Sequence, residues 1–152
     1  MPFRLTLALA VASACGCATA PDRPQSDRLA KSTLKAGPRN AGETGQAVMA
    51  AEGDMTALTL LLSGVPPWVS RPVQLYTFIY GGSCVEHGAT AAFALNDIVQ
   101  AGLFSNNASF GPFTLKKSVP LPLNELRTGG YAVIVRTSAA DGNVDLFCGD
   151  LN

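Results

Sequence analysis

The sequence is poor in the residues that most metal and catalytic sites need. Its 152 residues include one histidine, His87, and one tryptophan, Trp68, and 11 acidic side chains balance 11 basic ones. A nucleic-acid-binding domain normally carries a clear basic excess, which this chain lacks. No window reaches the roughly 18 uninterrupted apolar residues that cross a bilayer as a helix. The charge balance therefore argues against a nucleic-acid partner, and the single histidine limits the sites that histidines alone could form.

Aromatic residues are absent from a long N-terminal stretch. Every Phe, Tyr and Trp except Phe3 lies after residue 54, and residues 18–53 are instead rich in Ala, Gly and Pro with scattered charges. Such a segment buries too little apolar surface to offset the entropy lost on folding. The composition therefore predicts three parts: a signal over residues 1–17, a flexible tether over 18–53, and a folded domain over 54–152.

The first residues have the composition of an export signal. Arg4 precedes a compact apolar run, residues 5–14, which has the length of a signal-peptide core and is too short to span a bilayer. The following Ala-Cys-Gly-Cys-Ala-Thr-Ala-Pro resembles a bacterial lipoprotein signal, in which small residues lead to a cysteine that is lipidated and becomes the new N-terminus. Cys17 fits that role best and Cys15 is the alternative. Alanine stands three residues before either cysteine, where the family prefers leucine.

The lipoprotein resemblance implies contact with a membrane through a lipid anchor. Ala18, rather than an aspartate, follows Cys17, which implies the outer membrane of a bacterial cell envelope, with the protein facing the periplasm. Several acyl chains make a stable anchor, since each buried CH₂ contributes about 0.8 kcal/mol. The competing interpretation is a secreted protein in which Cys15 and Cys17 are incidental.

Short strand-like segments with turn punctuation follow residue 54. Alternating or wholly apolar runs rich in β-branched and aromatic residues predict strands, and Asp141-Gly142-Asn143 predicts a hairpin turn. A helical turn over 96–104 and a turn at Asn106-Asn107 are expected in the less regular middle of the domain. The segments expected to form strands are Met55–Ser63, Val73–Tyr80, Phe113–Leu123 with a bend at its prolines, Tyr131–Thr137 and Val144–Cys148. Together they predict an all-β antiparallel sandwich or barrel.

Two cysteines remain in the folded domain once the N-terminal pair is assigned to the signal. Cys84 and Cys148 each lie beside a predicted strand, and in an oxidising compartment they should pair. Such a bridge contributes roughly 4 kcal/mol in the chain-entropy treatment. A redox-active or metal-binding pair is the alternative, and the absence of a Cys-x-x-Cys spacing argues against the redox one.

Several of these segments resemble the copper/zinc superoxide dismutase family. Gly82-Ser83-Cys84 is similar to its Gly-Cys in the disulfide loop, and Gly64-Val65-Pro66-Pro67 to its Gly-Leu-Pro-Pro turn. Residues 130–136 resemble its Gly-x-x-Val-Val-His strand, and Leu146-Phe147-Cys148-Gly149 its C-terminal Leu-Ala-Cys-Gly. The resemblance covers residues 55–152 in patches and implies a Greek-key sandwich, either immunoglobulin-like or superoxide dismutase-like.

The departures from the family decide the expected function. No histidine stands near residues 73–76, where the family has a His-x-His pair, and Arg136 takes the place of the histidine that ends its strand. A guanidinium does not serve as a metal ligand, so we expect no cofactor and no dismutase activity. Arg136 is instead a candidate contact for an anion, with a surface ion pair as the plainer interpretation.

His87 is the remaining candidate metal ligand. A solvated or hydrogen-bonded loop residue is the plainer interpretation, and a zinc site would need Glu86, Asp141 or Asp145 beside it. The sequence therefore favours a non-enzymatic envelope lipoprotein that binds another envelope component. A metal-dependent dismutase-like oxidoreductase is one alternative, and a periplasmic chaperone or inhibitor acting through a surface around Trp68 and Tyr80 is another.

Overall fold

A computed structural model describes residues 28–96 and 111–152 of the chain. Its elements are the strands β1 to β8, one α-helix, α1, and two 3₁₀ turns. In chain order they are β1 Leu29–Ala36, a 3₁₀ turn Pro38–Asn40, β2 Thr44–Glu52, β3 Met55–Leu62, β4 Tyr76–Gly81, β5 Phe93–Ala94, β6 Phe113–Val119, α1 Leu123–Thr128, β7 Tyr131–Arg136, a 3₁₀ turn Ala139–Asp141, and β8 Asp145–Asp150.

The described strands form one antiparallel sheet in the order β5-β4-β7-β8-β1-β2-β3-β6. Three hairpin-connected strands, β1 to β3, have the late strand β8 beside the first of them, which is the Greek-key arrangement. The pairing of β1 with β8 covers only Lys35 with Cys148 and Ala36 with Phe147. This short junction divides the sheet into two four-stranded halves. The prediction of an all-β antiparallel fold is confirmed.

The two halves share one hydrophobic core. Leu58 and Leu60 of β3 and Val133 and Val135 of β7 are all completely buried in the same cluster. Helix α1 begins after Pro122 and packs against β2, β3 and β7, so it covers one end of the core. The side chains of each strand alternate between this core and an outer face, as the two-residue period of a strand requires.

The prediction of a flexible tether over residues 18–53 is wrong for most of its length. Residues 29–36 and 44–52 form β1 and β2, and they lie in the middle of the sheet between β8 and β3. Small residues can occupy these strands because larger side chains from neighbouring strands fill the space around them. Gly45, for example, lies so close to Leu34 that an added Cβ would approach the Leu34 Cβ to 2.9 Å. The folded domain therefore begins by residue 29 rather than at residue 54.

The other strand predictions agree with the structure more closely. β3, β7 and β8 fall within two residues of their predicted bounds, whereas β4 begins three residues late. The predicted strand at 113–123 ends at Val119, because Pro120 and Pro122 have no N–H to donate to a ladder. Its last predicted residue, Leu123, is instead the first residue of α1. The helical turn over 96–104 and the turn at Asn106-Asn107 lie outside the described residues apart from Asn96 itself.

Candidate functional site

The disulfide predicted from the sequence joins β8 to the loop that follows β4. The Sγ atoms of Cys84 and Cys148 are 2.06 Å apart, and the two Cα atoms are 5.8 Å apart. Cys148 lies opposite Ile134 of β7 and Lys35 of β1. Because Val133, Val135 and Phe147 occupy the core, this row of residues belongs to the outer face. The bridge therefore fastens the loop across the outside of the sheet.

Residues 82–87, which we call the disulfide loop, form a tight hairpin. Gly82 and His87 form an isolated antiparallel bridge, and the Ser83 N–H donates to the Glu86 carbonyl at 2.9 Å. The Glu86 N–H donates to the Ser83 hydroxyl at 3.1 Å. Gly82 has φ 106°, and an added Cβ would lie 2.3 Å from the Glu86 carbonyl oxygen, so only glycine fits there.

A carboxylate holds the loop at a second point beside the bridge. The backbone N–H of Cys84 donates to Asp150 Oδ1 at 2.7 Å, and Asp150 ends β8 two residues after Cys148. Sequence reasoning missed Asp150, although an acidic residue two positions beyond a paired cysteine was a small signal for it. The loop is therefore fixed by a covalent bond, a charge-assisted hydrogen bond and its own turn hydrogen bonds.

The loop covers a small apolar layer on the outer face. Tyr80, Ala132 and Ile134 point away from the main core, yet they are only 5%, 0% and 2% exposed. The His87 ring packs on the Tyr80 ring with centroids 4.7 Å apart, and its Nδ1 lies 3.0 Å from the Gly88 carbonyl oxygen. His87 thus lies against the sheet as part of this cover.

At the tip of the disulfide loop stands Val85, whose exposed fraction is 96%. It exceeds the other exposed large hydrophobic residues of the described chain, which range from 40% to 43%. Val85 lies between Cys84 and Glu86, so the constraints described above hold its backbone. The loop therefore holds an apolar side chain in solvent at a fixed position on its backbone.

Arg136 lies at the other end of the same outer face. Its Nε donates to the Asp145 carboxylate, and its Nη1 donates to the Tyr80 hydroxyl at 2.8 Å. The guanidinium carbon lies 5.5 Å and 5.3 Å from the centres of the Phe78 and Tyr80 rings. The Asp145 carboxylate raises the pKa of Arg136, against an opposing effect of burial. An anion at Arg136 would compete with Asp145, and the anion contact stays a prediction.

A cleft lies beside the disulfide, between β1 and β8. It has a volume of about 180 Å³, and its lining residues include Lys35 and Asp150. Its other lining residues are Ser32, Thr33, Cys84, Cys148, Gly149 and Asn152. The cleft is polar and small, so it suits a few water molecules or a small polar group better than an apolar ligand.

The remaining predicted site residues are not brought together with His87. Asp141 accepts hydrogen bonds from the Ser70 backbone at 3.0 Å and from the Ser138 hydroxyl at 2.9 Å. Across residues 28–96 and 111–152, no group of three His, Cys, Asp or Glu side chains is placed to hold a metal ion. Cys15 and Cys17 lie outside the described residues.

Of the two residues at which a chaperone or inhibitor surface is predicted, Trp68 is exposed and Tyr80 is buried. Trp68 is 40% exposed, and the guanidinium of Arg39 lies 4.4 Å from the centre of its ring. Tyr80 is 5% exposed beneath the disulfide loop. The chaperone or inhibitor alternative stays a prediction, in which the buried Tyr80 ring offers little exposed surface.

Comparisons with protein-family models, with curated proteins and with solved structures found no match. Within the part of the chain that the structure describes, no helix has the length and apolar character to cross a membrane.

Proposed function

We propose that the protein is a non-enzymatic, lipid-anchored component of a bacterial cell envelope whose disulfide loop binds another envelope protein. The observation that carries this proposal is Val85, which is 96% exposed on a loop tied down by the Cys84–Cys148 bridge and by Asp150. Exposing an apolar side chain gives nothing to folding stability, whereas holding it rigidly prepares it to enter a pocket on a partner.

Preorganisation is the physical reason that favours a binding role for this loop. Ordering a flexible loop at an interface costs free energy that reduces affinity, and a loop already held in one conformation avoids most of that cost. The polar residues Ser83 and Glu86 lie within two positions of Val85, which fits the pattern of an apolar contact inside a polar rim. We expect the partner to offer a small apolar pocket with a hydrogen-bonding edge.

The envelope location is supported by two separate features of the chain. The N-terminus resembles a bacterial lipoprotein signal with Cys17 as the lipidated residue, and Cys84 and Cys148 are joined in a disulfide. Disulfides persist in oxidising compartments such as the bacterial periplasm and are rare in the cytosol. An exported protein satisfies both features.

Lipidation is tested by the intact mass of the full chain expressed in a bacterial host with a lipoprotein-processing pathway. We expect cleavage before Cys17 and a mass increase equal to the added acyl chains, and Cys17→Ala should abolish both. Cys15→Ala is the matched control and should leave processing unchanged. If Cys15→Ala alone blocks processing, the anchor belongs to Cys15. An unlipidated wild-type chain would contradict the proposal.

Binding is tested by a photoreactive amino acid placed at residue 85 in the exported protein. We expect a discrete cross-linked adduct with one envelope protein, which is lost when Cys84→Ser and Cys148→Ser release the loop. The same amino acid at Thr90, an exposed position outside the loop, is the matched control. Equal adducts from both positions, or none from residue 85, would count against the binding role.

A further inference from the structure

The folded domain begins much closer along the chain to the predicted lipid anchor than the sequence analysis indicated. Arg28 is already fixed to the sheet, because its carbonyl accepts a hydrogen bond from the Ala51 N–H at 2.9 Å. Twelve peptide units join Cys17 to Leu29, and a fully extended chain of that length spans at most about 42 Å. A first strand at residue 54 would have allowed a span of about 130 Å.

This reach is comparable to the size of the domain itself. A compact domain of about 125 residues has a radius of gyration near 14 Å, which corresponds to a diameter of roughly 35 Å for a sphere. An anchored chain thus cannot hold the domain more than about one diameter from the bilayer surface. The chain toward the anchor leaves the domain at the start of β1, so the surface around that point needs the shortest length of connecting chain to reach the bilayer.

That part of the surface carries two exposed large apolar residues on one face. Leu29 pairs with Ala50, and Ala50 pairs with Ala57, so these three residues form one row across the sheet. Met55 lies two residues before Ala57 on β3 and pairs with Glu52. Leu29 and Met55 are 43% and 42% exposed. Because positions of equal parity share a face of the sheet, these residues lie together on the outer face of the β1-β2-β3-β6 half. We call Leu29, Ala50, Met55 and Ala57 the β1 patch.

The charges around the β1 patch are mixed. Arg28, Lys31 and Lys116 are basic, Glu52 and Asp54 are acidic, and all five are exposed. Lys116 lies in the same row of the sheet as Lys31. The excess is a single basic side chain, so an anionic membrane surface adds only a weak attraction. Contact at this patch would rest mainly on apolar side chains and on the anchor, and it would depend only weakly on salt and on anionic lipid.

We infer that the β1 patch rests on the bilayer that holds the lipid anchor, in the headgroup region. This inference rests on the proposed function, because it needs the acyl chains at Cys17.

The single tryptophan provides a direct test of this orientation. The full lipidated chain is reconstituted in vesicles of phosphatidylethanolamine and phosphatidylglycerol that include brominated acyl chains, which quench nearby indoles. In a Trp68→Phe background, a tryptophan is placed at Leu29 or at Met55 in the patch. Leu61→Trp is the matched control, because Leu61 is also 42% exposed and lies on the same face of β3, about 20 Å along the strand from Met55.

We expect the tryptophans at positions 29 and 55 to be quenched and blue-shifted by the bilayer, and those at positions 61 and 68 to be unaffected. The quenching should persist when phosphatidylglycerol is omitted and when salt is raised. Equal quenching at all four positions, or at none, on a chain whose mass confirms the acyl chains would overturn this inference alone. A chain without acyl mass would overturn the proposed function and this inference with it.

A second copy of the chain is the main competing occupant of the patch. It predicts a blue shift at positions 29 and 55 that grows with protein concentration in the absence of lipid. That result, obtained with a soluble Cys15→Ala, Cys17→Ala chain, would overturn the membrane assignment. We expect the soluble chain to show no such dependence.

Discussion

The carboxylate of Asp150 accepts a hydrogen bond from the backbone N–H of Cys84 at 2.7 Å, while Cys148, two residues before Asp150, holds the Cys84 side chain in a disulfide. One end of β8 thus fixes both the main chain and the side chain of a single loop residue. This double attachment holds the backbone beside Val85, whose side chain is 96% exposed.

Removing the disulfide should lower stability substantially. The two cysteines are 64 residues apart, so the reduced unfolded chain regains the freedom of a long loop. We expect Cys84→Ser with Cys148→Ser to lower the free energy of unfolding by about 2–4 kcal/mol, measured by urea denaturation. Asp150→Ala, which removes only the hydrogen-bond acceptor, should cost about 1 kcal/mol. An unchanged urea midpoint in the double variant would refute the structural role of the bridge.

The ion pair between Arg136 and Asp145 should contribute little to stability. The two side chains are 23% and 47% exposed, and exposed pairs typically contribute about 0.2–1 kcal/mol. A double-mutant cycle with Arg136→Met and Asp145→Asn should give a coupling energy in that range, and the coupling should shrink as salt increases. A coupling above about 2 kcal/mol would mean that the pair is far better shielded from water than its exposure indicates.

Asp141 should make stability sensitive to acid. Hydrogen bonds from Ser70 and then from Ser138 hold the pKa of Asp141 below its usual value in the folded protein. A carboxyl with a lowered folded pKa adds stability at pH values above its unfolded pKa of about 3.9, and this contribution is lost as pH falls through the folded pKa.

Ser70→Ala tests this acid dependence. It should reduce stability at pH 7 but change it much less near pH 2, so that the curve of stability against pH becomes flatter below about pH 4. Urea denaturation across that range would measure the slope, and Ser118→Ala, at an exposed position on β6, is the control. Identical slopes in the wild type and Ser70→Ala would show that the hydrogen bonds do not control the titration.

Gly149 should not tolerate a side chain. A Cβ on Gly149 would lie 2.5 Å from Leu34 Cδ2 and 2.8 Å from the Thr33 carbonyl oxygen, so β1 and β8 would be forced apart. We expect Gly149→Ala to cost about 1–3 kcal/mol, the usual range for overpacking. Gly81→Ala is the matched control, because a Cβ there meets no atom within 4 Å. Similar melting temperatures for the two variants would contradict the close packing of these strands.

A chain that begins at residue 54 should fail to fold. Without β1 and β2, β3 loses its hydrogen-bonding partner on one side, and the buried Leu58 and Leu60 lose part of their cover. A chain that begins at residue 28 should show a cooperative thermal transition and dispersed amide resonances. A cooperative transition in the shorter chain would show that residues 28–53 are dispensable to the fold.

Some of these strands could be predicted from the sequence and others could not, because the strands differ in how much apolar surface they contribute themselves. β3 and β7 could be predicted because each is a nearly continuous run of β-branched and apolar residues, as in Tyr131–Arg136. β1 and β2 bury only Leu34, Ala47 and Met49 as fully covered side chains. Their composition is that of a segment that would not fold alone, because most of the apolar side chains that cover them belong to other strands. The tendency of a segment to form a strand depends on such neighbours.

The candidate site was predictable only in part. Cys84 and Cys148 could be paired because few cysteines were available and both lie beside strand-like runs. The exposure of Val85, the role of Asp150 and the ring contact between Tyr80 and His87 depend on which loop folds over which face of the sheet. No spacing in the sequence specifies that choice.

The sequence by itself determined the all-β character, the identity of the disulfide partners and the scarcity of metal-ligating side chains, because these follow from residue types and local periodicity. Only the tertiary structure decided that residues 29–52 belong to the centre of the sheet, that Asp145 and Tyr80 engage Arg136, and that Val85 stands in solvent. Each of these depends on contacts between residues far apart in the chain, where the stabilising surface is contributed by a partner strand and not by the segment itself.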